Sequence, residues 1–177
     1  MATLSREQLV RRICDTALLR GEFTLRSGRK SKYYLDKYLF ETQPDILGAL
    51  GRMLAGHVDD TITRLAGPEL GGVALVAAAS LAAAKPAIFI RNLKKEYGSA
   101  KQIEGSLEPG DHVLIVEDIA TTGGQVIEAA QVIEQAGAHI AKIVAVIDRQ
   151  EGARENIEGA GFTFDSLFTK TDLGIDK

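Results

Sequence analysis

The sequence is poor in several features that would point to other classes of protein. Its single cysteine, Cys14, excludes an internal disulfide framework and fits a reducing compartment. The longest apolar run, residues 73–84, is mostly alanine and too short to span a membrane. The formal net charge is only -3, acids and bases are interspersed, and the amino terminus lacks a hydrophobic signal region. We therefore expect a cytoplasmic protein with neither a membrane nor a nucleic-acid partner.

Short strands and helices alternate along the 177 residues. Ser5 and Gln8 predict a capping box at the start of the first helix, and Gly21 predicts its end. Further helices are expected over residues 45–57, 71–84, 126–135 and 151–159, and strands over residues 23–28, 32–36, 62–66, 87–91, 113–116, 140–147 and 162–168. Strands separated by helices imply a mainly parallel α/β sheet, which binds ligands at the carboxyl ends of its strands.

Residues 113–125, VLIVEDIATTGGQ, carry the strongest functional signal. Four apolar residues predict a buried strand, and Glu117 and Asp118 place two carboxylates at its end. The turn at residues 121–124 is rich in hydroxyl groups and glycine and leads into a helix, so it can present N–H groups and a positive helix end to a phosphate. The adjacent carboxylates suit ribose hydroxyls, or a hydrated magnesium ion carried by a polyphosphate. Together these features predict an enzyme that acts on a sugar phosphate.

This segment resembles the phosphoribosyl-pyrophosphate motif of the type I phosphoribosyltransferases. Further segments are similar to one branch, the orotate phosphoribosyltransferases, in the same order: residues 23–31, 33–34, 67–72, 91–98, 103–105, 148–149 and 172–174. The central motif indicates only the superfamily, whereas SGxxS at residues 27–31 and IEG at residues 103–105 single out the branch. The resemblance implies the type I phosphoribosyltransferase fold, a central mainly parallel sheet flanked by helices. We expect a single domain over residues 1–177, with a small hood over about residues 1–40 and an α/β core over about residues 60–170.

The reaction that the resemblance implies transfers a 5-phosphoribosyl group from phosphoribosyl pyrophosphate (PRPP) to orotate. Its products are pyrophosphate and orotidine 5'-monophosphate, an intermediate of pyrimidine biosynthesis. By resemblance, Glu117 and Asp118 contact the ribose hydroxyls, and these two residues and Lys95 are the expected catalytic residues. The residues expected to hold the 5-phosphate are Thr121, Thr122, Gly123 and Gly124, and the neighbouring residues Ile119, Ala120 and Gln125 are also expected to bind PRPP. Magnesium is the expected cofactor, held mainly through PRPP and water without a direct protein ligand.

Residues 91–101 contain four cations and a glycine, which predicts a mobile surface loop. In the family this segment closes over the active site and reaches the neighbouring subunit, so the resemblance implies a homodimer that shares the lid. Asn92 and Tyr97 replace the lysine and histidine that the family usually has there. Tyr97 can still donate one hydrogen bond, and we expect pyrophosphate binding to be rearranged. The further PRPP-binding positions that the resemblance implies are Arg26, Arg91, Lys95 and Tyr97.

The expected orotate-binding residues are Thr121, Arg149, Tyr34 and Leu35. Arg149 matches the family arginine that meets orotate, because a guanidinium group can bind a planar carboxylated ring through two hydrogen bonds. A surface ion pair with a nearby carboxylate such as Glu151 is the alternative interpretation. Tyr34 and Leu35 match a pair of aromatic residues beneath the substrate ring, although the second is aliphatic here. Packing of a half-buried hairpin is the alternative for these two.

Two other functions remain open at this point. One is transfer of phosphoribose to another nucleobase, against which the SGxxS segment, the IEG segment and Arg149 weigh. The other is a non-catalytic regulatory homologue that binds nucleotides or PRPP. The presence of Glu117, Asp118, Lys95 and Arg149 favours catalysis, while the two departures in the lid argue against it.

Overall fold

The computed structural model describes residues 4–24, 28, 30–92 and 102–175. Its helices are α1 (Arg6–Ala17), α2 (Lys37–Glu41), α3 (Pro44–Ala55), α4 (Gly71–Ala83), α5 (Gly124–Gln135) and α6 (Ala153–Gly159). Its strands are β1 (Leu18–Thr24), β2 (Lys30–Leu35), β3 (Arg64–Pro68), β4 (Ala87–Ile90), β5 (Ile103–Glu104), β6 (His112–Ala120), β7 (His139–Asp148) and β8 (Phe164–Thr169). Within the described residues, no helix combines the length and the apolar character that a membrane crossing requires.

The main sheet has six strands in the order β5-β4-β3-β6-β7-β8. Strands β3, β4, β6, β7 and β8 run parallel, and β5 pairs with β4 in the antiparallel direction. The central strand β6 is buried continuously from residue 113 to residue 118, as is usual for a strand that helices cover on both faces. The structure thus confirms the predicted α/β class with a mainly parallel sheet.

Two hydrophobic clusters cover the two faces of this sheet. Leu114 and Val116 of β6 pack in the cluster that includes helices α1, α3 and α4, while Val113 and Ile115 pack in the cluster that includes α5 and α6. Successive side chains of a strand point to opposite faces, which explains the alternation. Because this alternation continues past Val116, the side chains of Glu117 and Asp118 also point to opposite faces of the sheet.

The first helix is shorter than its pattern suggests. Its capping box is present, since Ser5 Oγ accepts from the backbone of Gln8 and the side chain of Gln8 accepts from the backbone of Ser5. The expectation that the helix continues to Gly21 was wrong. Leu18 already pairs with Leu35 in the antiparallel β1-β2 hairpin, so tertiary pairing overrides the helical spacing at this end. The division of the chain into hood and core stays a prediction.

Strand β6 continues well beyond its predicted end at residue 116. Glu117 pairs with Ala145 and Ile119 with Ile147 in the parallel ladder with β7. The two acidic residues therefore lie inside the strand and not after it. Charged residues are rarely buried in strands, and for that reason the sequence suggested an end where the ladder continues. Helix α2 and strand β5 were not predicted, because five and two residues are too few to show a period.

Candidate active site

The turn between β6 and α5 can bind an anion. Gly123, the residue before α5, has a φ of 79°, in the left-handed region that favours glycine. A Cβ at this position would also lie 2.7 Å from Cγ1 of Ile157. Asn156 fixes the turn from the other side, since its Nδ2 donates a 2.9 Å hydrogen bond to the carbonyl of Thr122. The first N–H groups of α5 have no partner within the helix and carry the positive end of its dipole.

This turn opens onto a cavity of about 1060 Å³ at the carboxyl ends of β6 and β7. The position is the one at which parallel sheets bind ligands. The cavity is lined by Phe23, Thr24, Tyr34, Glu117, Ile119, Ala120, Thr121, Thr122, Gly123, Gly124, Gln125, Val126, Arg149 and Glu151. Its volume lies at the upper end of the range for small-molecule sites, so it can hold a sugar phosphate and a second ring together.

The two carboxylates of β6 point in different directions. Glu117 lines the cavity, whereas Asp118, which is 3% exposed, does not. Oδ2 of Asp118 accepts a 2.6 Å hydrogen bond from Nζ of Lys37 at the start of α2, and its Oδ1 accepts from the backbone N–H of Ile119. A Cβ at residue 71 would overlap the Asp118 carboxylate. Helix α4 can begin against this carboxylate because that residue is Gly71.

Glu41 at the end of α2 completes an acid cluster with Glu117, Asp118 and Lys37. Burial raises the pKa of Glu41 to about 8. Burial also raises the pKa of Glu117, the charge of Asp118 raises it further, and Lys37 opposes both effects. Burial alone lowers the pKa of Lys37, but the charge and hydrogen bond of Asp118 outweigh it, and the net direction is upward.

Two oxygens of the acid cluster lack a hydrogen-bond partner within the described part of the chain. They are Oε1 of Glu41 and Oε2 of Glu117, and both are buried. A buried polar atom without a partner is costly, so the cluster is suited to accept hydrogen bonds or positive charge from a ligand. Because Glu117 lines the cavity, such a ligand can reach it from there.

The opposite wall of the cavity carries Arg149, directly after β7. Its backbone N–H donates a 2.9 Å hydrogen bond to the carbonyl of Ala120, which ties the two strand ends together. Its Nη2 lies 2.8 Å from Oε1 of Glu151, as the alternative interpretation expected, and 3.4 Å from the hydroxyl of Tyr33. Arg149 and Glu151 nevertheless line the cavity, so the ion pair faces the space that a ligand would occupy.

The two residues expected beneath the substrate ring differ in position. Tyr34 is 44% exposed and lines the cavity. Leu35, the last residue of β2, is partly buried, packs against the hydrophobic core and is not one of the lining residues. Alternation along β2 explains the difference, since neighbouring side chains point to opposite faces. Phe23 and Thr24, at the end of β1, line the cavity although the sequence did not single out their side chains.

Arg91 and Asn92 lie beside a second, smaller pocket, which Gln125 also lines. Nε2 of Gln125 donates a 2.9 Å hydrogen bond to Oδ1 of Asn92 and a 3.2 Å bond to the carbonyl of Glu69. The backbone N–H of Asn92 donates in turn to Oε1 of Glu69 at 2.8 Å. The backbone N–H of Arg91 donates a hydrogen bond to the carbonyl of Gln102, so these two residues lie side by side although ten residues separate them in the chain.

Three residues with an expected role, Arg26, Lys95 and Tyr97, lie outside the described residues. Two residues of the acid cluster, Lys37 and Glu41, were missed by sequence reasoning. Their spacing of four along a short helix is the usual signature of a solvated ion pair, and the chain offers no local sign that this helix packs against β6. No group of three or more residues able to hold a metal ion occurs among the described residues.

Comparison with known proteins places this geometry in a family. Residues 39–172 match the family model described as "Phosphoribosyl transferase domain". The orotate phosphoribosyltransferase of Pyrococcus abyssi is 44% identical over 172 residues, which cover 95% of this chain and 94% of the relative.

Two crystal structures of Mycobacterium tuberculosis orotate phosphoribosyltransferase are also similar. One is a complex with Fe(III) dicitrate, with a TM-score of 0.84, and the other a complex with 5-phospho-alpha-D-ribosyl 1-diphosphate, with a TM-score of 0.80. In both cases the sequence identity is 30%, and the match covers 96% of this chain and 98% of the other. With a family match over most of its length and relatives above 40% identity, this chain belongs to the phosphoribosyl transferase domain family, among the orotate phosphoribosyltransferases.

Proposed function

We propose that this protein transfers the 5-phosphoribosyl group of PRPP to orotate, giving orotidine 5'-monophosphate and pyrophosphate for pyrimidine biosynthesis. One observation carries the proposal. A single cavity joins the anion-binding turn after β6, the buried carboxyl of Glu117 and the guanidinium group of Arg149. These are the three groups that a phosphorylated ribose and a carboxylated ring require. The M. tuberculosis relative solved in complex with 5-phospho-alpha-D-ribosyl 1-diphosphate supports PRPP as the donor.

The turn at residues 121–124 holds the 5-phosphate in this proposal. Its hydroxyl groups and the free N–H groups at the start of α5 surround the phosphate oxygens, and the helix dipole adds a favourable charge interaction. The left-handed Gly123 and the hydrogen bond from Asn156 keep the turn in one conformation. A phosphate held rigidly keeps the anomeric carbon at a constant distance from the groups that act on it.

Glu117 and Asp118 act on the ribose. As the anomeric C–O bond opens, positive charge builds on the sugar, as in glycoside cleavage. Glu117 faces the cavity from a buried position, where water screens its charge little, so its ionised form stabilises the cationic sugar more than a solvated carboxylate would. By family resemblance Asp118 also acts on the ribose hydroxyls; in this structure its carboxylate is bound to Lys37 and does not line the cavity.

Arg149 and Tyr34 bind orotate. The guanidinium group of Arg149 exchanges its contact with Glu151 for the carboxylate of the substrate, which makes a planar pair of hydrogen bonds. Tyr34 and Phe23, whose ring centroids are 5.7 Å apart, offer an aromatic wall beside the pyrimidine. Thr121, the first residue of the turn, lines the same cavity, and Leu35 packs against the core behind Tyr34.

The pyrophosphate half of PRPP is assigned by family resemblance. Arg91 and Lys95 provide positive charge for the leaving group, Tyr97 donates a hydrogen bond, and Arg26 contacts a phosphate. We place the protein in the cytoplasm as a homodimer in which the lid segment of each subunit, residues 91–101, reaches the active site of the other. Exclusion of water by that segment protects the cationic sugar from hydrolysis.

Magnesium is part of the proposal as a companion of PRPP. In this proposal the substrate brings the ion, which PRPP and water hold without a direct protein ligand. When bound, it would neutralise charge on the pyrophosphate.

A spectrophotometric assay tests the function. Loss of orotate is followed with PRPP and magnesium, and hypoxanthine, adenine and uracil serve as alternative acceptors. Turnover with orotate and with none of the other three bases supports the proposal. Turnover with another base means that this base, and not orotate, is the acceptor. Binding of PRPP without turnover of any base identifies a regulatory homologue. Repeating the assay with excess chelator tests the requirement for magnesium.

A further inference from the structure

Lys37 provides an ion pair to the acid cluster and has no part in the assignments above. Its ammonium group lies 2.6 Å from Oδ2 of Asp118, which is buried, while the lysine side chain is 32% exposed. The contact joins α2, directly after the hairpin that lines the cavity, to the central strand of the sheet. Fixing a lysine side chain in one position costs conformational entropy. The attraction of the buried Asp118 carboxylate must offset this cost for Lys37.

The charges around this contact do not balance. Three carboxyl groups, on Glu41, Glu117 and Asp118, lie close together, and in the described part of the chain Lys37 supplies the positive charge that acts on them. A buried carboxylate needs an opposite charge or hydrogen bonds to remain ionised. Helix α4 adds its positive end at Gly71, and its first turn carries no ionisable residue.

We propose that Lys37 is a positioning residue of the phosphoribosyl transfer, which holds the Asp118 carboxylate in place behind Glu117 and favours the ionised form of Glu117, the form that can stabilise the cationic sugar. This inference rests on the proposed function for its catalytic part. Its electrostatic part concerns the acid cluster alone and can be measured without any substrate. Lys37 acts through Asp118 and Glu117, of which Glu117 lines the cavity.

Glu41 has the opposite effect in the same cluster. It follows Lys37 by four residues on α2, so both side chains leave the helix on the same face. Burial raises the pKa of Glu41 to about 8, which keeps it protonated near neutral pH. When it does ionise, its charge disfavours ionisation of Glu117. Lys37 and Glu41 therefore shift the ionisation of Glu117 in opposite directions.

Other charged groups around the pair set the background against which these two act. On the elements packed around the acid pair they are Asp36, Lys37 and Glu41 of the α2 region, Glu69 after β3, Asp148 of β7, and Arg149 and Glu151 across the cavity. Arg149 and Glu151 pair with each other, and Asp148 accepts from the backbone of Gln150. These contacts do not involve Lys37 or Glu41, so the variants are designed to isolate the two α2 residues.

The test compares Lys37→Gln, Lys37→Arg and Glu41→Gln with the native protein. Glutamine retains a hydrogen-bond donor for Asp118 and removes the charge, arginine retains the charge, and Lys85→Met is the control at the opposite end of the sheet. Carboxyl ¹³C NMR titration follows Glu117 without any substrate. Lys37→Gln should move its ionisation upward by about one to two pH units, Glu41→Gln should move it downward, and Lys37→Arg and Lys85→Met should leave it near the native position.

The pH dependence of kcat/KM for PRPP is the second measurement. Its acid limb should follow the NMR shifts, so that Lys37→Gln loses about tenfold in kcat/KM near neutral pH and recovers at higher pH.

Unmoved titrations in Lys37→Gln would overturn the inference. A KM for PRPP raised equally at every pH would also overturn it, because it would make Lys37 a direct ligand of the substrate. Shifted titrations in a protein without transferase activity would support the electrostatic part and reject the proposed function instead. If Lys37→Gln does not fold, Lys37→Met, which keeps the length of the side chain and removes its charge, is read in the same way.

Discussion

Nε2 of Gln125 donates a 2.9 Å hydrogen bond to Oδ1 of Asn92, which joins the first turn of α5 to the segment that follows β4. Asn92 stands where the family usually has a lysine, so a residue that departs from the common pattern has a specific partner here. Glu69 completes the contact, since it accepts from both residues. Hydrogen bonds therefore join the first turn of α5 to the segments that follow β3 and β4.

Loss of this link should weaken the use of PRPP. Gln125→Ala is expected to raise the KM for PRPP about three- to tenfold with little change in the KM for orotate. The reason is that the substitution removes a hydrogen bond of ordinary strength on the PRPP side of the site and none on the orotate side. Steady-state kinetics with each substrate varied in turn measure the effect. Gln131→Ala, an exposed position on the same helix, is the matched control. Equal effects of Asn92→Ala, Gln125→Ala and the double variant would confirm that the two residues act as a pair, and simple additivity would contradict it.

Arg149→Ala should act on the other substrate. We expect the KM for orotate to rise about tenfold or more, because a charge-assisted pair of hydrogen bonds to the substrate carboxylate is lost. Arg154→Ala, which removes an exposed ion pair with Glu158 on α6, should change neither KM and serves as the control. A main defect in PRPP use would mean that Arg149 does not bind the base.

Lys95→Ala should lower turnover by about a hundredfold while the KM values change little, since the family's lid lysine stabilises charge that develops on the leaving pyrophosphate. Single-turnover kinetics separate the chemical step from product release, and Lys85→Ala is the control. Unchanged turnover in Lys95→Ala would remove this lysine from the mechanism.

Gly71→Ala tests the packing of α4 against the acid cluster. Its Cβ would overlap the Asp118 carboxylate, so we expect a loss of about 2 kcal/mol or more in the free energy of unfolding, together with loss of the Lys37 contact. Gly48→Ala in α3 is the matched control, because its Cβ would meet Nη1 of Arg52 at an ordinary 3.7 Å. That variant should be more stable than the native protein by about 0.5–1 kcal/mol. Urea unfolding measures both, and equal stability of the two variants would contradict the packing argument.

The buried Glu41 should make stability depend on pH. Its pKa is about 8 in the folded protein against an ordinary value of 4.5, so the folded state retains a proton that the unfolded chain releases between these values. This contribution is fully present below pH 4.5, falls as the pH rises by about 1.4 kcal/mol per pH unit, and is lost above pH 8.

Glu41→Gln should remove that dependence, because a neutral amide has no proton to exchange. Urea unfolding of the native protein and the variant at pH 5 and pH 8.5 checks the sign. The variant should gain relative to the native protein as the pH rises, and parallel pH profiles would show that Glu41 is not buried as a neutral acid.

Much of the site was predictable because its chemistry is local in the chain. The buried strand, the two acidic residues, the hydroxyl-rich turn and the helix after it are consecutive, so the anion-binding end of the cavity could be inferred from residues 113–125. Arg149 follows the next parallel strand, and the carboxyl ends of neighbouring parallel strands meet at one edge of the sheet. Segments with a strong period were likewise predicted within a few residues, as α4 and α5 show.

The sequence by itself therefore determined the α/β class, the glycine-containing turn at residues 121–124 and the chemical groups beside that turn. These features depend on local propensity and on side-chain chemistry. Only the tertiary structure decided where each carboxylate points, that Lys37 and Glu41 reach the central strand, that Leu35 turns to the core, and that Asn92 meets Gln125. Those facts depend on strand alternation and on contacts between residues far apart in sequence, such as the 81 positions that separate Lys37 from Asp118. No local pattern encodes such a distance, because it arises only when the sheet assembles.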